Sequence, residues 1–172
     1  VESLAKLKPV FRKDGVVTAA NASGICDGAG TILVASEQAV LEHNLQPLCR
    51  IVSHAVTGCD PSIMGIGPVQ AIQKALSNSA APLDLHKDID RVEINEAFAA
   101  QTLACIKELK LDLNKTNIHG GAISLGHPLG ASGSRILAHL AHEFKYNANQ
   151  KTAVGSACIG GGQGIAVVLE RV

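Results

Sequence analysis

Three short stretches of the sequence place reactive side chains among glycines, where the backbone can approach a ligand closely and point its N–H groups at it. The first is Gly126-His127-Pro128-Leu129-Gly130-Ala131-Ser132-Gly133. Pro128 fixes the chain direction and biases His127 toward extended geometry. An imidazole held there, beside the start of a helix, can stay neutral near physiological pH. It can then accept a proton or donate a hydrogen bond to a developing oxyanion. The plain alternative is a histidine that merely closes a turn. The second stretch is Gly155-Ser156-Ala157-Cys158-Ile159-Gly160-Gly161-Gly162-Gln163-Gly164. A thiol at the end of a strand can serve as acid or base if its pKa is drawn down toward the working pH. The loop amides form a nest for an oxyanion. The alternative is a tight hairpin with a small buried cysteine, although three successive glycines exceed what a hairpin needs. The third stretch is Asn95-Glu96-Ala97-Phe98-Ala99-Ala100. Asn95 there either N-caps a helix or holds a water or a carbonyl oxygen.

These residues must be positioned by regular elements, and the pattern supplies them. Thr31 to Ser36 is an apolar run of strand length, and Val16-Val17-Thr18 reads as a shorter strand. Ser36 can cap a short helix ending near His43-Asn44. Arg50 to Val56 reads as a strand, and Gly67-Pro68 opens a helix with Val69, Ile72 and Leu76 at helical spacing. Ile89 to Ile94 is a strand leading to Asn95, with a helix over about Glu96 to Lys110 whose apolar stripe is Ala99, Leu103 and Ile106. A further strand is expected before the turn at Asn117 to Ala122. The clearest helix runs from Ala131 to about Tyr146, burying Ile136, Leu137, Leu140, Ala141 and Phe144. Two strands, Thr152 to Ala157 and Gly164 to Glu170, finish the chain. Ile165 to Leu169 is nearly all apolar and should be covered on both faces. Strands alternating with helices give an α/β layered domain.

Composition narrows the function. Fifteen basic residues balance fifteen acidic ones and aromatic content is 2%, so neither a basic field nor a stacking platform for nucleic acid exists. No apolar run has the length of a membrane-spanning helix. The first residues show neither Met nor a signal-peptide pattern, which reads as an internal start. Five cysteines without CxxC spacing argue against a disulfide framework or a structural zinc site. Cys26, Cys49, Cys59 and Cys105 read as small core residues. His139 and His142 stand three apart on the long helix, but no carboxylate or third ligand completes a metal set, so no metal is expected. The glycine clusters match neither a Rossmann nor a P-loop fingerprint.

Taken in order, five segments resemble the thiolases: Asn21-Ala22-Ser23-Gly24, Asp60-Pro61-Ser62-Ile63-Met64-Gly65, Asn95-Glu96-Ala97-Phe98-Ala99, Gly126-His127-Pro128-Leu129-Gly130 and Cys158-Ile159-Gly160-Gly161-Gly162. Leu4 to Phe11 and Gly155 to Ile159 are similar to the mitochondrial, degradative 3-ketoacyl-CoA branch of that family. The resemblance implies a thiolase-like layered α/β fold with a C-terminal βαβαβαββ half. Residues 1–25 would end a loop domain, 26–46 would be the last strand and helix of the N-terminal half, and 47–172 the C-terminal domain.

The resemblance also implies roles. His127 would activate the nucleophile and help bind the thioester oxygen. Cys158 would exchange a proton with the α-carbon of acetyl-CoA. Asn95 would order the water of one oxyanion hole, and the Gly160 N–H would serve the other. Ser23 would touch the pantetheine arm of CoA, with Met64, Ala97 and Phe98 lining its tunnel. No cofactor is implied; CoA and acyl-CoA would be substrates, and the full-length protein would be a mitochondrial homodimer or homotetramer. The reaction would be thiolysis of 3-ketoacyl-CoA by CoA in fatty acid β-oxidation. The alternatives are a biosynthetic acetoacetyl-CoA thiolase and a non-catalytic acyl-CoA-binding protein, for which intact His127 and Cys158 would be needless. Two departures stand out. None of the five cysteines lies in the family's acyl-accepting segment, so the isolated chain is expected to be inactive. His119 stands where the family usually has Asn before Gly120-Gly121.

Overall fold

A computed structural model describes residues 2–172. The first helix, α1 (Glu37–Glu42), is a short surface turn whose cap is Ser36, its hydroxyl accepting from the Ala39 amide at 3.1 Å. The strand β1 (Cys49–Gly58) leads through a 3-10 turn (Pro61–Ile66) into α2 (Gly67–Ser77). Then come β2 (Arg91–Ile94), α3 (Ala99–Leu109), the single turn α4 (Ala122–Leu125), α5 (Ser132–Tyr146), β3 (Thr152–Ile159) and β4 (Gln163–Arg171).

The strands form one sheet in the order β1-β4-β3-β2. Neighbours are antiparallel except β2 and β3, which run parallel in the register Arg91↔Ala153 to Ile94↔Ser156. Period-two alternation divides the core. On one face Ile72, Ala75 and Leu76 of α2 and Cys105 and Leu109 of α3 pack with Val92, Ile94, Val154 and Val168. On the other, Ile136, Leu140 and Phe144 of α5 pack with Ala153 and Leu169. Strand β4 is thus covered on both faces, as its apolar run requires.

Several elements differ from expectation, each for a local reason. Residues 31–36 form no strand among the described residues; Leu33 and Val34 are 82% and 70% exposed. An apolar run becomes a strand only beside a partner that takes its backbone hydrogen bonds, and none is beside it. Val16 to Thr18 forms loop contacts rather than a strand, the Val10 amide donating to the Val17 carbonyl and the Asn21 side chain bonding the Val16 carbonyl and the Thr18 amide. The strand expected before Asn117 shrinks to a single parallel bridge, Val92↔Thr116, so the sheet has four strands where βαβαβαββ has five. The chain turns away at Asn117, whose φ is 47°.

Helix α3 starts at Ala99 rather than Glu96 because the chain bends at Ala97 and Phe98 is held extended. The Ser23 amide donates to the Ala97 carbonyl, and Ala22 bridges Phe98. Its inward face is Gln101, Thr102, Cys105 and Leu109, not the stripe through Leu103, which is exposed. The Pro61–Ile66 turn selects that face: the Cys105 thiol donates to the Gly65 carbonyl at 3.3 Å. Of the four cysteines expected in the core, only Cys105 is buried, and Cys26 is exposed.

Candidate active site

The parallel pair β2–β3 ends its two strands side by side, and in open α/β sheets ligands bind beyond such carboxyl ends. Asn95 follows β2 directly, its amide donating to the Ser156 carbonyl of β3 at 2.9 Å. Asn95 is fully buried. It is not a helix cap, because α3 begins only at Ala99.

His127 meets Asn95 from the other side. Its backbone N–H donates to the Gly24 carbonyl at 2.7 Å, and it bridges Ile25, so the histidine is held extended by a second strand of chain. Gly126 before it has φ of 97°, and a Cβ there would fall 2.5 Å from the Cys26 sulfur. Glycine is therefore required twice over at that position.

The hydrogen bonds around the imidazole are consistent with one tautomer. Ser132, at the first turn of α5, spends its only proton on the Pro128 carbonyl at 3.1 Å. Its oxygen must then accept from His127 Nδ1–H, 2.6 Å away. That leaves Nε2 with a free lone pair, which accepts from the Asn95 amide nitrogen at 3.2 Å. Burial, with a smaller contribution from the Arg135 guanidinium, holds the His127 pKa below the ordinary imidazole value. The ring is neutral near physiological pH and poised to accept a proton at Nε2. The Asn95 carbonyl oxygen is buried with no hydrogen-bond partner among the described residues. Such a group costs about 1–3 kcal/mol when left unpaired, the mark of an atom kept for a ligand or a solvent molecule.

Cys158 lies near the end of β3, two residues beyond Ser156, followed by the Gly160–Gly162 turn into β4. The alternation of β3 aims it toward the α2–α3 face, where Cys59 and Cys105 are its neighbours. Burial pushes its thiol pKa up rather than down. The sequence reading required a lowered value for base chemistry; with no cation beside it, this thiol is a neutral proton donor. No hydrogen bond among the described residues joins Cys158 to His127. The two share one edge of the sheet without direct bonding. No turn, loop or cap hydrogen bond among the described residues uses the Gly160 amide. Gly162, by contrast, carries φ of 91° and lies within 2.4 Å, by its missing Cβ, of the Cys59 carbonyl, so that position tolerates no side chain.

The remaining expected residues fall into two places. Ser23 donates its hydroxyl to the Ala97 carbonyl at 2.9 Å, and Phe98 packs edge-on against Phe11 with centroids 5.8 Å apart. Met64 is half-buried in the Pro61–Ile66 turn, which packs against the start of α3, and its carbonyl faces the Cys59 thiol. No hydrogen bond among the described residues links it to Ala97 or Phe98. Two hollows lie elsewhere, one lined by Val56, Gln70 and Lys74 and the other by Leu85, Ile89 and Lys115.

Two residues near the edge were not singled out by sequence. Ser132 sits five places after His127, a spacing that sets a hydroxyl opposite the ring once a helix starts between them. Glu96 accepts from the Ile123 amide and the Asn117 side chain, tying the loop before His127 to the end of β2. Away from the edge lies another set the sequence reading had dismissed. His139 is joined not to His142 but to His119 and Glu143, so a third ligand and a carboxylate are present after all. His142 instead stacks on Tyr146.

The order of these segments matches a known family. The profile described as "Thiolase, C-terminal domain" matches residues 45–171, and "Thiolase, N-terminal domain" matches residues 1–38. The chain belongs to the thiolase family. Among curated thiolases, the mitochondrial 3-ketoacyl-CoA thiolase of Homo sapiens is 62% identical over 170 residues, covering 99% of this chain and 42% of that protein. The acetyl-CoA acetyltransferase of Chromobacterium violaceum is 52% identical over the same shares. The crystal structure of the human mitochondrial thiolase in complex with CoA superposes with a TM-score of 0.95 at 62% identity, again over 99% of this chain and 42% of that one. The chain therefore spans about two fifths of the length of these thiolases.

Proposed function

We propose that this thiolase chain supplies the proton-handling and oxyanion-binding part of a 3-ketoacyl-CoA thiolase, which cleaves 3-ketoacyl-CoA with CoA to a shortened acyl-CoA and acetyl-CoA. The observation that carries the reading is the imidazole at the carboxyl edge of β2–β3: Nδ1 bonded to Ser132, Nε2 bonded to the Asn95 side chain. CoA and acyl-CoA are the substrates, and a human relative at 62% identity is described as crystallised with CoA. The mitochondrial relatives support a mitochondrial address, and in this reading the full-length protein is a homodimer or homotetramer.

In this reading a cysteine of the family's acyl-accepting segment takes the acyl group as a thioester, splitting one hard carbon–carbon cleavage into two easier steps. His127 Nε2 takes that thiol's proton. As the carbon–carbon bond breaks, the acetyl-CoA fragment leaves as an enolate, and Cys158 gives its α-carbon a proton. Burial keeps that thiol protonated until the enolate forms; the incoming CoA thiol then gives its proton back to the Cys158 thiolate as CoA takes the acyl group, and the His127 proton returns to the released nucleophile. The charge that develops on one thioester oxygen is met by His127 and by a water held on Asn95; the other is met by the Gly160 N–H. Ser23, Met64, Ala97 and Phe98 flank the pantetheine arm.

The experiment is thiolysis of medium-chain 3-ketoacyl-CoA by the protein in its natural full length, with His127→Ala and Cys158→Ala. Each should lower kcat by about 10³-fold or more, the scale of lost acid–base and oxyanion contributions, with nearly unchanged thermal unfolding. Near-wild-type turnover in either variant overturns the assignment. Parallel rates on acetoacetyl-CoA address the biosynthetic reading that the Chromobacterium relative's name keeps open.

A further inference from the structure

Behind the sheet edge, on the outer side of β2, three metal-binding side chains converge from two elements. His119 comes from the loop between β2's bridge partner and α4; His139 and Glu143 come from successive turns of α5. His119 Nδ1 lies 3.4 Å from His139 Nε2 and 3.4 Å from Glu143 Oε1. All three donor atoms fall within 4.8 Å of one another. These separations have a specific meaning. Two ligands on one ion at the usual zinc bond length of about 2.0–2.1 Å are about 3.4 Å apart when the angle between them is roughly tetrahedral. Two of the three edges already have that length.

The rings cross nearly at right angles, 88°, with centroids 5.3 Å apart. Stacked rings would turn their lone pairs away from a common point, whereas this crossing leaves one nitrogen of each ring facing the other. The carboxylate is held in place independently. Glu143 is 13% exposed, and its other oxygen lies 3.7 Å from Arg91 Nε. Glu93, nearly buried and paired with Arg135, presents its second oxygen 3.6 Å from the same His139 nitrogen, a further oxygen beside the cluster.

We propose that His119, His139 and Glu143 form a zinc site that staples the 117–121 loop to α5. Two imidazole nitrogens and one carboxylate oxygen suit Zn²⁺ better than calcium or magnesium, which take all-oxygen shells. The single imidazole–imidazole hydrogen bond is exchanged for two metal–nitrogen bonds, and the fourth position is open to water. The loop so fixed is the one that Asn117 ties to both the amide and the carbonyl of Ile94, and it runs on through α4 into His127. The ion would therefore stiffen the segment that carries the imidazole without touching it. None of the three ligands has a role in the proposed reaction, so the two readings stand or fall separately.

The test uses the protein in its natural full length, stripped with a chelator and titrated with Zn²⁺ by calorimetry, with Co²⁺ as a spectroscopic probe. The expected result is one ion per chain, a tetrahedral Co²⁺ spectrum without thiolate charge-transfer bands, and a Zn²⁺-dependent rise in Tm. His119→Asn keeps a polar group at an exposed position and so preserves the fold; it should weaken binding at least tenfold and abolish the rise in Tm. Glu143→Gln should act in the same direction. Cys158→Ala should leave binding unchanged. Unaltered affinity in His119→Asn, no binding by the wild type, or thiolate bands that vanish in Cys158→Ala would each overturn the site.

Discussion

Residues 2–46 and residues 49–171 answer the problem of staying in place in opposite ways. The second region is a four-stranded sheet with a sealed layer on each face. The first contains no buried residue among those described, and it leaves Val10, Phe11, Val16, Ile25, Leu33 and Val34 exposed. Yet it supplies contacts the site depends on: the Gly24 carbonyl under His127 and the Ser23 grip on Ala97. The difference teaches that a catalytic side chain can be aimed by main-chain bonds from a segment with no core of its own. Stability and alignment are then separable properties.

The comparison breaks if stability proves to reside in the first region. Phe144→Ala removes a side chain that is 1% exposed in the α5 layer. It should cost about 3–5 kcal/mol in denaturant unfolding. Phe11→Ala, at a ring 69% exposed, should cost less than about 1 kcal/mol. Equal losses would mean the two regions share one core.

Alignment is probed at Ser132. Ser132→Ala frees the imidazole to adopt either tautomer and should lower kcat by roughly ten- to a hundredfold, about 1.4–2.7 kcal/mol, with KM little changed. Ser134→Ala, whose hydroxyl only bonds the Ala131 carbonyl, should be neutral. A rise in KM alone would reduce Ser132 to packing. The pH profile sharpens the same point. A histidine pKa held below 6.5 keeps the base free of its proton to lower pH, so the acidic limb of kcat/KM should lie below that value. A limb above it would contradict the environment described for His127.

The smallest effect belongs to α1. Ser36→Ala removes an N-cap worth about 1 kcal/mol to a six-residue surface helix. It should fray that helix in amide exchange while leaving global unfolding unchanged.

The sequence made the sheet's apolar strands and α5 legible because each carries its own period. The glycine stretches around His127 and Cys158 were legible too, since reactive groups beside glycines have few structural uses. What escaped was whatever a partner decides. Thr31 to Ser36 has a strand's composition, but composition cannot supply the neighbour a strand needs. The α3 stripe went to Gln101 and Cys105 because the Gly65 turn admits that face, a choice invisible in spacing alone. Asn95 looked like a cap because strand and helix are separated there by only four residues; the grip of Ser23 on Ala97 and the bridge of Ala22 to Phe98 keep those residues out of the helix. The His119–His139–Glu143 cluster joins positions up to twenty-four apart through tertiary packing, and no local pattern announces it.

Strand β4, the last of the strands to leave the ribosome, lies between β1 and β3, and β1 pairs with no other strand of the sheet. During synthesis β1 must wait for more than a hundred residues with both edges unsatisfied, since Cys49 meets Arg171 only at the end. Contacts so distant along the chain close slowly and leave sticky edges meanwhile. Nascent chains of this protein should therefore dwell on chaperones until β4 has emerged, and truncation within that nine-residue strand should yield aggregate rather than a smaller folded product.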